Sequence, residues 1–101
     1  MRFKENTIKD LGTLNRAQSM LLNLYVKGYT NITLAVFNNS VELSVYEPCP
    51  KSLDMAEIII RNTMADGDAL ELEKHINENG VYSTLKWSGY LIETEDEDNN
   101  N

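Results

Sequence analysis

Apolar and polar side chains alternate from Ile32 to Val36 and again from Val41 to Val45. Folding the chain back at Asn38-Asn39 sets Ile32 opposite Val45, Leu34 opposite Leu43 and Val36 opposite Val41. The other side then carries Thr33 with Ser44 and Ala35 with Glu42. A slip of one residue would turn every one of these side chains over, so pattern and turn agree on a single register. The expected element is a β-hairpin with strands near 31–37 and 40–47, turning on an Asn-Asn pair that accepts the positive φ of a tight primed turn. Phe37 falls on the face opposite Val36, beside Ala35 and Tyr46, where it is either covered by another element or open to a partner. A two-stranded ribbon is marginal in water, and its apolar side must rest on helices or further strands.

Upstream, Leu14, Ala17, Leu21, Leu24 and Tyr25 recur at helical spacing, and Met20 and Leu22 widen the stripe. The pattern predicts a helix from Leu14 to Lys27 with Thr13 as N-cap, Gly12 as a break before it and Gly28 as the left-handed residue that closes it. Downstream, Pro48 and Pro50 end the hairpin, and Ser52 is placed to cap a helix from Leu53 to about Ala65 that buries Leu53, Ala56, Ile60 and Met64. The β-branched run Ile58-Ile59-Ile60 leaves a buried strand as the alternative there. Asp66-Gly67-Asp68 breaks the chain again. Asp68 to Glu71 has capping-box spacing, which predicts a further helix to about Glu78, burying Ala69, Leu72 and Ile76 and closing at Asn79-Gly80. From Val81 to Ile92 the alternation returns. Ser88-Gly89 either folds this segment into a second hairpin, with Trp87 facing Tyr90 and Leu85 facing Ile92, or marks a bulge in one long strand. The order is helix, hairpin, two helices and one long strand or a second hairpin: an α+β plan with helices packed on a small antiparallel sheet.

With 101 residues, 42% of them hydrophobic and 25% charged, the chain has the composition of a single globular domain, and no apolar run is long enough for a spanning helix. The start carries positive charge but no apolar run of signal-peptide length, and Cys49 is the sole cysteine, so no intrachain disulfide forms. These features together predict a cytoplasmic protein away from membranes.

The formal charge of −7 is unevenly spread. Glu93, Glu95, Asp96, Glu97 and Asp98 hold five of the sixteen acids, whereas residues 1–92 hold eleven acids against nine bases. Residues 1–92 are therefore expected to form one compact domain and 93–101 a disordered acidic, Asn-terminated tail. The bases are scattered, and none interleaves with the aromatic residues as a nucleic-acid groove requires, so direct nucleic-acid binding is disfavoured.

Chemistry-bearing constellations are sparse. Placing Gly67 at the sixth position of a calcium loop puts Glu73 at the twelfth, but the third becomes Met64, which offers no hard oxygen. His75 is the only histidine, with Glu71 one turn before it on the expected helix, so no multi-histidine metal site forms. Cys49, between two prolines, gains at most weak activation from Lys51 and a following helix start. The five glycines are isolated and build no phosphate loop. No catalytic residue, metal ligand or cofactor site is assigned.

The expectation that remains is a non-enzymatic protein-binding module, an inhibitor or regulator of a partner protein, with exposed aromatics and acids as its contacts. The candidates are Phe37, Tyr46, Trp87 and Tyr90, and the acids Glu93, Glu95, Asp96, Glu97 and Asp98. A run of acids also suits competition with nucleic acid for a basic surface on a nucleic-acid-binding partner. In size, acidity and α+β plan the chain resembles phage-encoded proteins that bind and block a host enzyme, which implies action in a host cytoplasm. The alternatives are a self-associating accessory protein that forms a homo-oligomer, and a small enzyme that uses Cys49.

Overall fold

The computed structural model describes residues 7–9, 11–78, 80–91 and 93–95. In chain order the elements are β1 (Thr7–Lys9), α1 (Leu11–Lys27), β2 (Ile32–Val36), β3 (Ser40–Glu47), a 3-10 turn (Pro50–Leu53), α2 (Asp54–Arg61), β4 (Ala69–Asn77), β5 (Gly80–Tyr90) and β6 (Glu93–Glu95). Strands β2, β3, β5 and β4 form, in that order, one antiparallel sheet, and both helices pack on it in an α+β fold. Strands β1 and β6 pair as a separate antiparallel ribbon. The first three residues of the expected acidic tail are thus strand, while 96–101 lie outside the described residues.

The β2–β3 hairpin has the predicted register, with Ile32 opposite Val45, Leu34 opposite Leu43 and Val36 opposite Val41. Its turn is closed by Phe37 N–H donating to the Ser40 carbonyl at 2.7 Å. No described residue other than glycine has positive φ, so the Asn38-Asn39 turn is not of the primed class. Leu91 N–H donates to the Asn39 carbonyl at 2.9 Å and ties the turn to the end of β5.

Helix α1 starts earlier than expected and takes Gly12 and Thr13 inside it. Thr13 is buried, and its hydroxyl donates across the core to the Tyr90 carbonyl at 2.8 Å, so it anchors α1 to the sheet and does not cap it. The other end closes as predicted. Gly28 has φ +113°, its N–H reaches the Tyr25 carbonyl and the Tyr29 N–H reaches the Leu24 carbonyl, both at 3.0 Å, the paired bonds of a Schellman motif. Ala17, Met20 and Leu24 are buried, whereas Leu22, Tyr25 and Val26 are exposed, so the buried stripe is narrower than the apolar pattern.

Helix α2 is shorter than predicted and is entered through the 3-10 turn, with Leu53, Ala56 and Ile60 buried and Met64 packed against them. The Ile58-Ile59-Ile60 run is helical. Ser52 does not cap it. The Tyr29 hydroxyl accepts the Ala56 N–H at 3.1 Å and donates to the Ser52 carbonyl at 2.6 Å, so a distant phenol satisfies one orphan donor of the helix start.

The predicted helix over 69–78 is instead strand β4. Ala69-Leu-Glu-Leu-Glu-Lys has good helix propensity, but a helix there would leave one edge of β5 bare. As a strand it pairs with β5 along its whole length, from Ala69 opposite Ser88 to Asn77 opposite Gly80. Gly80, at φ +125°, stands at the hairpin corner where a helix end was expected. Leu72 and Ile76, expected to be buried, are exposed.

Strand β5 is unbroken. Its register with β3 runs unbroken through Ser88 and Gly89 to Tyr90, and that with β4 reaches Ser88, so there is neither a second hairpin nor a bulge, and Trp87 faces Leu43 and Leu70, not Tyr90. Gly89 has another cause. A Cβ there would lie 2.7 Å from the Trp87 ring and 2.8 Å from the Thr13 methyl, so the indole and the α1 anchor pack in the space that glycine leaves.

The core lies between the helices and one sheet face: Val41, Leu43 and Val45 of β3, Leu85 and Trp87 of β5, and the helix residues above. Trp87 is fully buried, and its indole N–H donates to Asp68 Oδ2 at 3.0 Å. The same oxygen accepts the Ala65 N–H at 2.9 Å, and Arg16 Nη2 lies 3.3 Å from Asp68 Oδ1. Removing this carboxylate leaves a buried indole N–H, a backbone N–H and part of a guanidinium without their acceptor. Asp68→Ala is expected to lower stability by about 3 kcal/mol and Asp68→Asn by about half of that, in urea unfolding followed by Trp87 fluorescence.

Candidate functional site

Both helices join the same core cluster and touch each other, so they cover one side of the sheet. Strand alternation then dictates what the other side presents. Across β2, β3, β5 and β4 it carries, row by row, Ala35, Glu42, Ser88 and Ala69; Thr33, Ser44, Lys86 and Glu71; and Tyr46, Thr84 and Glu73. Tyr82 and His75 form the row beyond, at one end. At the other end Ser40 stands between Phe37 and Tyr90.

Phe37 and Tyr90 are 51% and 63% exposed at their end of this face. At the opposite end the rings form a diagonal line. The Tyr46 hydroxyl is 3.3 Å from Thr33 Oγ1, and the Tyr46 and Tyr82 rings are 6.4 Å apart at 43°. His75 stacks on Tyr82 at 4.7 Å and 20°, with Nε2 at 3.3 Å from Glu73 Oε1. Between the ends, Ser44 and Thr84 are buried, with longer side chains beside them in the same rows and no described helix on this face. Thr84 Oγ1 is buried without a hydrogen-bond partner. Glu42, Glu71 and Glu73 against Lys86 make the face net negative.

A cleft of about 380 Å³ opens at the Tyr46 end, lined by Asn31, Tyr46, Glu47, Pro48, Val81 and Tyr82. Its origin is local. Pairing between β3 and β5 stops at Glu47 opposite Ser83, and Pro48, with no N–H, cannot extend it, whereas β5 continues with β4 to Gly80. The gap between the two strand ends is the cleft.

Of the residues singled out from sequence, the sheet brings Phe37, Tyr46 and Tyr90 onto one face and removes Trp87 from it. Trp87 lies on the helix side, fully buried and bonded to Asp68, and is a core residue with no surface to offer a partner. Glu93 and Glu95 belong to β6 by their backbone, and Asp96, Glu97 and Asp98 lie outside the described residues. Tyr82 and His75 were missed. With 69–78 read as a helix, His75 had no strand neighbour, and the Leu-Glu-Leu-Glu alternation before Asn79-Gly80 was the overlooked hairpin signal.

Other chemistry does not assemble. Asp68 points into the core and Glu73 lies on the open face, so the acids of the hypothetical calcium loop are separated. Among the described residues no three His, Cys, Asp or Glu side chains converge as a metal site. Cys49 is free and exposed, while the contacts of His75 are with Tyr82 and Glu73. Among the described residues no helix is long and apolar enough to cross a membrane.

Comparison with protein-family models, curated proteins and solved structures returned no match.

The two classes of aromatic are separable by experiment. Phe37→Ser and Tyr90→Ser are expected to change stability by less than about 0.5 kcal/mol, as surface substitutions do. Trp87→Ala should cost about 3–5 kcal/mol. Chemical unfolding measures both, and the wild-type Trp87 emission should be blue-shifted and shielded from acrylamide.

Proposed function

We propose that this chain is a non-enzymatic protein-binding module, an inhibitor or regulator, that docks its partner on the open face of the four-stranded sheet. The observation that carries this reading is the single face shared by Phe37, Tyr46, Tyr82, His75 and Tyr90, with three glutamates among them and no helix over it. Aromatic side chains supply large contact area at low entropic cost and are favoured interface anchors. The glutamates select a basic partner surface and deter an acidic one, nucleic acid included. The acidic run from Glu93 to Asp98 has the same sign and extends the field that steers such a partner. A basic partner that itself binds nucleic acid is the chemical class that fits best, and blocking its phosphate-binding surface is the mode of action proposed.

The test is affinity purification from the native cell with the full chain as bait. A partner recovered by the wild type should be lost from a Phe37→Ser, Tyr90→Ser double variant and retained by Leu22→Ser on the outer side of α1. Its binding should weaken as salt rises across the physiological range. Retention by the double variant, with salt-insensitive binding, refutes the open face as the docking surface.

A second reading, self-association, is favoured by one observation: β4 is a nine-residue edge strand whose helix-side residues Leu72 and Ile76 are 57% and 77% exposed. Antiparallel pairing of two β4 strands about a two-fold axis at Lys74 would set Leu72 against Ile76 of a second copy. Lys74 at that axis opposes it, because two like charges would meet. Mass in solution separates the readings: a protein-binding module with a guarded edge is expected to stay monomeric at micromolar concentration, and a dimer abolished by Ile76→Lys would establish self-association.

A further inference from the structure

We infer that the cleft at the end of the sheet is a receptor for a single arginine side chain of the partner protein. The inference rests on the protein-binding reading above and assigns that reading a specific anchor point. Three independent features meet there. The first is an open cleft of about 380 Å³, a volume within the range of ligand sites, which begins at roughly 300 Å³. It opens where Pro48 ends one strand while β5 runs on.

The second feature is the pair of aromatic walls. Tyr46 and Tyr82 both line the cleft, with ring centroids 6.4 Å apart and planes tilted by 43°. His75 approaches Tyr82 from β4, on the far side of β5 from Tyr46, and its stacking at 4.7 Å holds the Tyr82 ring in place. Tyr46 is held in turn by its hydroxyl contact with Thr33. Rings fixed in this way suit a cation, because the negative face of the π-system attracts a guanidinium or ammonium.

The third is charge. Among the described residues, Glu47 is the one ionisable acid or base that lines the cleft apart from the two phenols, and no lysine or arginine lines it. Glu47 stands in the Ser83 row, on the helix side of the sheet, and lines the cleft from the strand end, where a carboxylate favours a cation. A planar guanidinium can stack on a ring while its edge N–H groups donate to a carboxylate, which a compact ammonium does less well.

The experiment is an NMR titration of the full chain with N-acetyl-arginine amide, with N-acetyl-citrulline amide as the uncharged isostere. Arginine amide should shift the amides of Asn31, Glu47, Val81 and Tyr82 saturably, with affinity of roughly millimolar order, as a single side chain permits. Citrulline amide should bind at least about fivefold more weakly. Glu47→Gln should weaken arginine amide by a similar factor, and Tyr82→Phe, which keeps the ring, should bind as the wild type does. Tyr82→Ala should lose binding, and its amide spectrum reports whether the sheet remains folded. Equal response to arginine and citrulline, or arginine shifts scattered over Glu71, Glu73 and the acidic end and unchanged in Glu47→Gln, overturns the inference. Such a failure leaves the open-face reading standing, because that reading fails on the Phe37 and Tyr90 variants, which lie at the opposite end of the face.

Discussion

A fully buried tryptophan leaves its indole N–H costly unless it finds an acceptor, and in this protein that acceptor is Asp68. The carboxylate is held in turn by Ala65 N–H and Arg16, which brings α1, the loop after α2 and β5 to one point. The rest of the architecture follows from the position of that ring. Because the indole extends over residue 89, only glycine fits there, and Thr13 closes the space from α1 and bonds to the Tyr90 carbonyl. Trp87 thus sets the distance of α1 from the sheet and the side on which both helices must lie.

Once the helices are committed to that side, the other face of the sheet carries no described helix. Strand alternation does the sorting. The residues that build the core on β3 and β5 force Tyr46, Tyr82 and Tyr90 to the opposite side, where flanking side chains also shut Ser44 and Thr84 away from water. The Thr84 hydroxyl without a hydrogen-bond partner and the exposed Phe37 and Tyr90 rings are features that the core does not require, and they lie on the face proposed for docking. The cleft arises from the same economy of elements, since a proline that ends a strand also opens a gap beside the strand that continues.

The hairpin register, the Schellman closure at Gly28 and the buried line of α2 were all legible, because each depends on periodicity and turn chemistry within a few residues. The segment 69–77 was not. Its residues satisfy a helical stripe and a strand alternation equally well, and local propensity favours the helix. What decides between them is the free edge of β5, a set of backbone donors and acceptors that exists only after the chain has folded. Gly89 shows the same limit. Beside Ser88 it carries the local signature of a turn, and its actual cause is an indole two residues away and a threonine more than seventy residues away. The candidate face was half visible: Phe37, Tyr46 and Tyr90 could be named from the sequence, but Trp87 was grouped with them, and the helix assigned to 69–78 hid His75 and so left Tyr82 without its stacking partner.

By itself the sequence determined the α+β class, one hairpin with its register and the helix that ends at Gly28, because these rest on short-range patterns in which one arrangement is far better than its neighbours. Tertiary structure alone decided that Trp87 belongs to the core and not to the surface, that β4 is a strand, and that five ring-bearing side chains from β3, β4, β5 and the β2 turn share one face. The physical reason is that hydrogen-bond satisfaction of a buried group, and the face on which a side chain stands, are properties of the partners across the sheet, and those partners are fixed only when distant segments have met.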